Sequence, residues 1–244
     1  MTSQKAAALR ALHVPGDPLV LPNVWDAASA RAVQEAGFAV VATGSAAIAR
    51  VLGYDDGEAT PVAEMLAVVG RIARVVEAPV TADVERGYGL KPAELVERLL
   101  ATGAVGCNLE DSDPGTGQMI DPGEQADFLA EVRAAAGGEL VINARVDTFL
   151  GGAGTREDAA ARARRYLEAG ADCVYPILAP DPAALAAAID GPVNVIFHKG
   201  SPALAELAAM GVARVSFGHG LHAAAHAHAV HLFGRVREGH NPYL

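Results

Sequence analysis

Eight short apolar runs recur along this chain with amphipathic segments between them, and that alternation narrows its fold more than any other feature. The runs are Leu19 to Trp25, Ala39 to Gly44, Pro79 to Glu85, Ala104 to Asp111, Leu140 to Asp147, Asp172 to Leu178, Pro192 to Phe197 and Arg214 to Gly218. Each has strand length, and near-continuous apolar strands are those buried on both faces of a parallel sheet. Segments such as Pro92 to Leu100 and Arg156 to Leu167 set apolar and charged residues at helical spacing. Several close on Ala-Gly or a near variant, at Gly37, Gly103, Gly170 and Gly211, where glycine supplies the left-handed residue that ends a helix. Strand and helix in alternation predict an α/β fold. Eight units in 244 residues fit a closed (β/α)8 TIM-type barrel, with residues 1–244 as one domain, better than an open doubly wound sheet. A dinucleotide-binding sheet would open its first helix with Gly-x-Gly-x-x-Gly, whereas the first run here leads into Asn23-Val-Trp-Asp26-Ala-Ala-Ser29.

Composition excludes several classes. Hydrophobic residues make up 51% of the chain, with 26 glycines and 14 prolines, which suits buried strands joined by tight turns. The formal net charge is -10 and the arginines are spread along helices, so no nucleic-acid surface is expected. Small anionic substrates would then need local positive charge. Cys107 and Cys173 lie inside apolar runs, as expected of reduced core thiols in a cytoplasmic protein. Met1 to Ala11 lacks a charged leader with an apolar stretch, and no apolar run reaches the ~18 residues of a membrane span, so no membrane partner is expected.

Three runs end in polar groups. Pro79-Val-Thr-Ala-Asp83-Val-Glu85 carries two carboxylates two residues apart, which a strand aims to one side, and Gly87 and Gly89 let the backbone pass close by. Val105-Gly-Cys-Asn-Leu runs into Glu110 and Asp111, and Leu140-Val-Ile-Asn143-Ala-Arg145-Val-Asp147 ends in an amide, a guanidinium and an acid. In a barrel the C-terminal strand ends share one mouth, and chemistry sits there. Asp83, Glu85 and Glu110 offer only oxygen, a donor set that favours Mg2+ or Mn2+ over zinc. A metal held this way would bind a carboxylate with its neighbouring keto oxygen and, as a Lewis acid, stabilise an enolate. Taken singly, the same acids read equally as polar strand ends or helix caps. Their clustering favours the metal.

Arg145 shares a face with Asn143, which places the guanidinium either to grip a substrate carboxylate or to pair with an acid at the mouth. Asp56 lies in the turn Leu52-Gly-Tyr-Asp-Asp-Gly57. Ser112 to Gly123 is long and rich in helix breakers, as a mobile lid or a plain surface loop would be. Histidines gather near the C-terminus at His219, His222, His226, His228, His231 and His240. His222 and His226 have i, i+4 spacing but lack the acid of a His-Glu-x-x-His zinc helix, so a solvated or oligomer-facing helix is the simpler reading. His219 alone ends the last run near the mouth. Lys199 leads into Gly200-Ser201-Pro202, which reads as a turn before a helix more simply than as a Schiff-base lysine.

Six segments together resemble the isocitrate lyase and phosphoenolpyruvate mutase superfamily. Leu21-Pro-Asn-Val-Trp-Asp26-Ala-Ala-Ser-Ala30 is similar to its opening strand, Thr43-Gly-Ser45-Ala-Ala to its second-strand substrate loop, and Leu52-Gly-Tyr-Asp-Asp56-Gly to its gate-side aspartate loop. Asp83-Val-Glu85-Arg-Gly-Tyr-Gly89 resembles its metal motif Asp-x-Asp-x-Gly-Tyr-Gly, followed by Leu109-Glu110-Asp111, and Asn143-Ala-Arg145-Val-Asp147 resembles its arginine strand. The resemblance implies a modified (β/α)8 barrel whose C-terminal helix is swapped between subunits of a homo-oligomer, dimer or tetramer, with Mg2+ and a small 2-oxo or 2-hydroxy carboxylate at the mouth. By position, Asp83 would touch the metal, with Glu85 and Glu110 acting partly through water. Asp56, Glu110 and Arg145 would be the catalytic groups. Thr43, Gly44, Ser45, Asn143 and Arg145 would contact the oxo acid, and Trp25 and Asp26 would support the floor of its site.

Departures from the pattern narrow the activity. Members acting on isocitrate or methylisocitrate carry a Lys-Lys/Arg-Cys-Gly-His loop after the Glu-Asp pair, where this chain has Asp113-Pro-Gly-Thr-Gly-Gln118 and no cysteine. Phosphonate-handling members end the sixth strand with His and Ser, where this chain has Tyr175-Pro-Ile177-Leu178. Glu85 replaces the second aspartate of the metal motif. The expectation is a Mg2+-dependent lyase that cleaves or forms a carbon-carbon bond. The alternatives are an oxaloacetate-type hydrolase, a phosphonopyruvate mutase or hydrolase, and, from another class, a barrel that binds 2-oxo acids without turnover.

Overall fold

The computed structural model describes residues 2–152 and 154–244. Nine strands follow in chain order: β1 Leu19–Leu21, β2 Asn23–Val24, β3 Val41–Thr43, β4 Val80–Asp83, β5 Gly106–Leu109, β6 Val141–Val146, β7 Cys173–Pro176, β8 Asn194–Ile196 and β9 Arg214–Ser216. Every ladder is parallel, in the orders β1-β9-β8 and β2-β3-β4-β5-β6-β7. The expected first run is cut at Pro22, which has no N–H to give a ladder. Its two pieces pair in different sheets, β1 with β9 and β2 with β3. That stretch of chain joins the sheets on one side, and a parallel bridge between Val174 and Val193 joins them on the other. The result is a closed barrel of eight staves, β1 and β2 together forming one.

The apolar core lies outside the barrel wall. Leu95 and Leu99 of the helix Pro92–Ala101, Leu129 and Val132 of Pro122–Ala136, and Tyr166 of Arg156–Glu168 pack onto Val80, Ala82, Leu109, Ile142 and Ala144 of the strands. Burying each large aliphatic side chain contributes roughly 1.5–3 kcal/mol, so this shell supplies most of the stability. The interior is unlike the branched aliphatic filling usual in such barrels. Thr81, Asn108, Asn143, Asn194 and Arg214 are buried there around a central cavity.

The N-terminal helix Thr2–Ala11 plugs the bottom, with Ala6 and Leu9 against Leu19, Leu21, Val40, Ala42, Val105 and Val141. Gly106 makes the close approach possible: a Cβ there would stand 2.8 Å from Leu9 Cδ2 and 2.9 Å from Thr81 Oγ1. Arg10 fastens the plug by donating from Nε to Asp172 Oδ1 at 2.7 Å, while Arg133 donates to the other Asp172 oxygen. Two helices instead of one follow β3, Ser45–Leu52 and Val62–Arg74, and Asp56 in the segment between them lines the mouth. The C-terminal helix Gly220–Arg237 buries no residue and exposes Val230, Phe233 and Val236. Among the described residues no helix is long and apolar enough to cross a membrane.

Candidate active site

The strands open at their C-terminal ends into a cavity of about 350 Å³. Asp83, the last residue of β4, stands on its wall. Its Oδ2 accepts from the Ser45 backbone N–H at 3.0 Å and the Ser45 hydroxyl at 2.7 Å, and its Oδ1 accepts from Asn108 Nδ2 at 3.2 Å. Thr43 Oγ1 accepts from the Asp83 N–H at 2.9 Å, fixing the backbone that carries the carboxylate. Ser45 is the first residue of its helix, so Asp83 also lies in the favourable field of a helix N-terminus. Gly44, at the cap, passes close to the other side of the barrel: a Cβ would stand 3.4 Å from the Gly218 carbonyl. Asp56 lines the same cavity.

Glu85 is buried just beyond, with its carboxylate turned into a clasp. Oε1 accepts from the Tyr88 hydroxyl at 2.7 Å and Oε2 from the Glu58 N–H at 2.5 Å, while Glu58 Oε1 accepts from the N–H groups of Tyr88 at 2.6 Å and Arg86 at 3.1 Å. Glu58, Glu85 and Tyr88 all have positive φ (60°, 50° and 57°), a conformation costly outside glycine and often held at functional sites. The clasp ties the Asp56 loop to the turn after β4. Burial pushes the Glu85 carboxyl up to about 7; the Tyr88 hydrogen bond opposes the rise, and the neighbouring charge of Asp83 adds to it.

Arg145, from β6, also lines the cavity. Both readings of its guanidinium meet here, because it is held by acids before any ligand arrives. Nε donates to Asp147 Oδ1 at 2.5 Å, Nη2 to Asp147 Oδ2 at 3.0 Å, and Nη1 to Glu110 Oε1. Burial works against its charge, yet Glu110 and Asp147 raise its pKa. Burial holds the Glu110 carboxyl well above the ordinary range despite Arg145, with Asp83, Asp147 and Glu85 adding to the rise. Glu110 faces a second, acidic cavity under the segment 112–119, whose ends are pinned by a bridge from Ser112 to Met119. Asp111 points away from the mouth, accepting from Tyr166 Oη at 2.7 Å and from the Asp147 N–H at 2.8 Å.

A family model described as phosphoenolpyruvate phosphomutase matches residues 9–237. The chain belongs to that family. A Burkholderia cenocepacia J2315 protein provisionally named a phosphonomutase superposes with a TM-score of 0.90 at 44% identity, covering 95% of this chain and 99% of that one. A 2,3-dimethylmalate lyase described as a PEP mutase/isocitrate lyase superfamily member superposes with a TM-score of 0.86 at 26% identity, over 98% of this chain and 87% of that one. A phosphonopyruvate hydrolase in complex with oxalate and Mg2+ superposes with a TM-score of 0.85 at 25% identity, over 96% and 87%. This phosphoenolpyruvate phosphomutase family member is therefore an enzyme of the PEP mutase/isocitrate lyase superfamily with its TIM-barrel fold.

Of the residues the family resemblance singled out, Thr43, Gly44, Ser45, Asp56, Asp83, Asn143 and Arg145 line one cavity, and His219, expected near the mouth from its place after the last run, lines it too. Trp25 and Asp26 do not line it. Asp26 caps the helix Ala27–Glu35, accepting from Ser29 N at 2.7 Å, and Trp25 meets the His222 ring edge-on at 5.0 Å. Lys199 is exposed in a turn, as its neighbours predict. Sequence reading passed over Asn108, Asn194, Arg214 and Ser216 on the cavity wall. The signal was available: Thr81 with Asp83, and Arg214 with Ser216, are polar residues at i, i+2 inside strand-length runs, where an ordinary barrel has aliphatics.

Among the described residues, no three His, Cys, Asp or Glu side chains converge as a ready-made metal cluster. The donor set still fits the Mg2+ that the family resemblance implies. Asp83 and Asp56 offer oxygens on the cavity wall; burial is what chiefly lifts Glu85 and Glu110, and the part of the rise that neighbouring acids such as Asp83 add is what a divalent cation would relieve. One directly held carboxylate with water completing the shell is the usual Mg2+ arrangement.

Proposed function

We propose that the protein is a Mg2+-dependent lyase that cleaves or forms a carbon-carbon bond in a small 2-oxo or 2-hydroxy carboxylate. The observation that carries this reading is the Asp83 carboxylate, preorganised by Ser45 and Asn108 on the wall of a cavity that also holds Arg145. Mg2+ bound at Asp83 would polarise the carboxylate and oxo oxygens of the acid and take up negative charge as the bond breaks. Thr43 keeps its hydroxyl proton for a ligand oxygen, and Ser45 orients Asp83. Glu110 and Asp147 hold Arg145 in place and leave part of its fork of N–H donors for the acid. The Glu58 clasp fixes the loop that carries Asp56 to the cavity wall.

The test is a thermal-shift panel of pyruvate, oxaloacetate, 2-oxoglutarate, malate and phosphonopyruvate, each with and without Mg2+. An oxo acid that raises Tm only with Mg2+ supports the reading and names the acid for a cleavage assay. No shift with any of them removes it. The same panel between pH 6 and 8 tests Glu85. Its raised carboxyl favours the protonated fold, a contribution that is whole below its ordinary 4.5 and lost as pH rises through about 7. A cation favours the carboxylate, so apparent Mg2+ affinity should climb by up to ~10-fold per pH unit below 7 and level off above it. A flat profile takes Glu85 out of the metal's surroundings.

The same reading takes the C-terminal helix as exchanged between subunits, which would cover its exposed Val230, Phe233 and Val236. Sedimentation of the chain as a monomer would exclude the exchange.

A further inference from the structure

Arg214 is the odd charge in this barrel. It opens β9 level with its ladder partner Asn194, two residues before Ser216, is 4% exposed, and lines the inner part of the cavity. Among the described residues no carboxylate comes within ion-pair distance of it. Its only hydrogen-bond partner there is His13 Nε2, 3.3 Å from Nη1, and its buried Nε has none. His13 supplies no negative charge. Its Nδ1 lies 2.9 Å from the Leu9 carbonyl, which makes Nδ1 the protonated nitrogen and Nε2 the acceptor, and burial together with Arg214 lowers its pKa to about 4. Asp83 acts on Arg214 only from a distance, being bonded to Ser45 and Asn108. A second orphan faces the same space: Asn143 is 1% exposed, and its Oδ1 has no protein partner.

A buried guanidinium without an acid is costly, and proteins rarely keep one that binds nothing. The contrast with Arg145 locates the spare charge. Both guanidiniums line the cavity, but Arg145 is already neutralised by Glu110 and Asp147. Of the two guanidiniums, the one without an acid partner is at the inner end. We propose that Arg214 forms an anion subsite there for a carboxylate of the substrate other than the one held beside Asp83, so that the enzyme selects diacids over monoacids of the same shape. The inference rests on the oxo- or hydroxy-acid reading of the cavity and deepens it.

The probes are malate and 2-hydroxybutyrate, which differ by one carboxylate in place of a methyl group, titrated calorimetrically into the protein with Mg2+. Wild type should bind malate about tenfold or more tightly than 2-hydroxybutyrate, the value of one charge-assisted bond in a buried site. Arg214→Met should bring the two acids level through loss of malate affinity alone. It should also melt no lower than wild type, because it removes an uncompensated buried charge. Arg214→Lys should keep part of the preference. Should the methionine variant fail to fold, Arg214→Gln, which can still donate to His13, takes its place. A preference for malate that survives loss of the charge overturns the subsite, as does a wild type that binds both acids alike; either leaves the general reading of the cavity standing. Binding of neither acid overturns the subsite, while the general reading stands or falls with the thermal-shift panel.

Discussion

Asp83→Ala should lower Mg2+-dependent turnover by about three orders of magnitude while the protein melts within a few degrees of wild type. The kinetic loss follows from position: Asp83 is the acid on the cavity wall whose two oxygens are both fixed by donors, so its removal takes away the one preorganised carboxylate available to a cation. The fold should survive, because no apolar contact is lost and the partners left behind, Ser45 and Asn108, line the cavity. Asp83 also raises the pKa of Glu85 and Glu110, so its absence relaxes an existing repulsion. The readout is turnover of whichever acid gives the largest Mg2+-dependent thermal shift, measured beside the melting curve. Activity within tenfold of wild type would take the metal away from Asp83. A collapse in Tm would instead make Asp83 a structural residue.

The architecture was legible because the staves are short apolar runs with glycine-terminated helices between them, a periodicity that survives without tertiary context. What escaped was the split at Pro22, where one run serves two sheets: the proline was visible, but which ladder each half would join depends on barrel closure. Site legibility followed the same line. Thr43, Ser45, Asp83 and Arg145 sit at strand ends within distinctive motifs, and they do line one cavity. Asp26 lies off the cavity wall as a helix N-cap, a place the sequence could not tell from the wall because caps and site acids use the same residue types. Glu85 carries the motif yet turns into a clasp with Tyr88 and Glu58, since a positive φ redirects its side chain in a way that no spacing rule registers. Arg214 was passed over as a strand residue. A lone arginine in an apolar run is easily read as a rim residue, and only the plug helix with His13 beneath it makes this one interior.

Polar filling and the apolar shell divide the work of the molecule. The asparagines are linked across the interior, Asn143 donating to Asn108 at 2.8 Å and to Asn194 at 3.2 Å, and Asn194 donating to Ser216 at 3.1 Å. Such a ladder adds little net stability, because each bond replaces one to water. It holds the donors and acceptors of the cavity in fixed places, while the helices outside the wall supply the stability that allows this.

Arg145 is where the two demands meet, and its substitution should show both. Arg145→Met leaves Glu110 and Asp147 buried without their cation, a change that typically costs about 3–5 kcal/mol, which for a chain of this size lowers Tm by roughly 10 °C. The loss should depend on pH with a definite sign. Burial already holds the Glu110 carboxyl well above its ordinary 4.5, with Arg145 as the opposing influence. Without the arginine the protonated form is favoured further, and a raised carboxyl contributes stability that is whole below 4.5 and lost as pH rises through its folded value. The variant should therefore trail wild type more at pH 8 than at pH 5.5. Arg145→Lys separates charge from geometry: the ammonium still offsets the acids and recovers much of the melting temperature, but it lacks the planar fork, so the KM for the acid should rise about tenfold or more. If the lysine variant binds substrate as well as wild type does, the guanidinium only neutralises its neighbours and does not hold the substrate. If Arg145→Met trails wild type equally at both pH values, Glu110 does not titrate between them in the folded protein, and burial does not hold its carboxyl raised in that range.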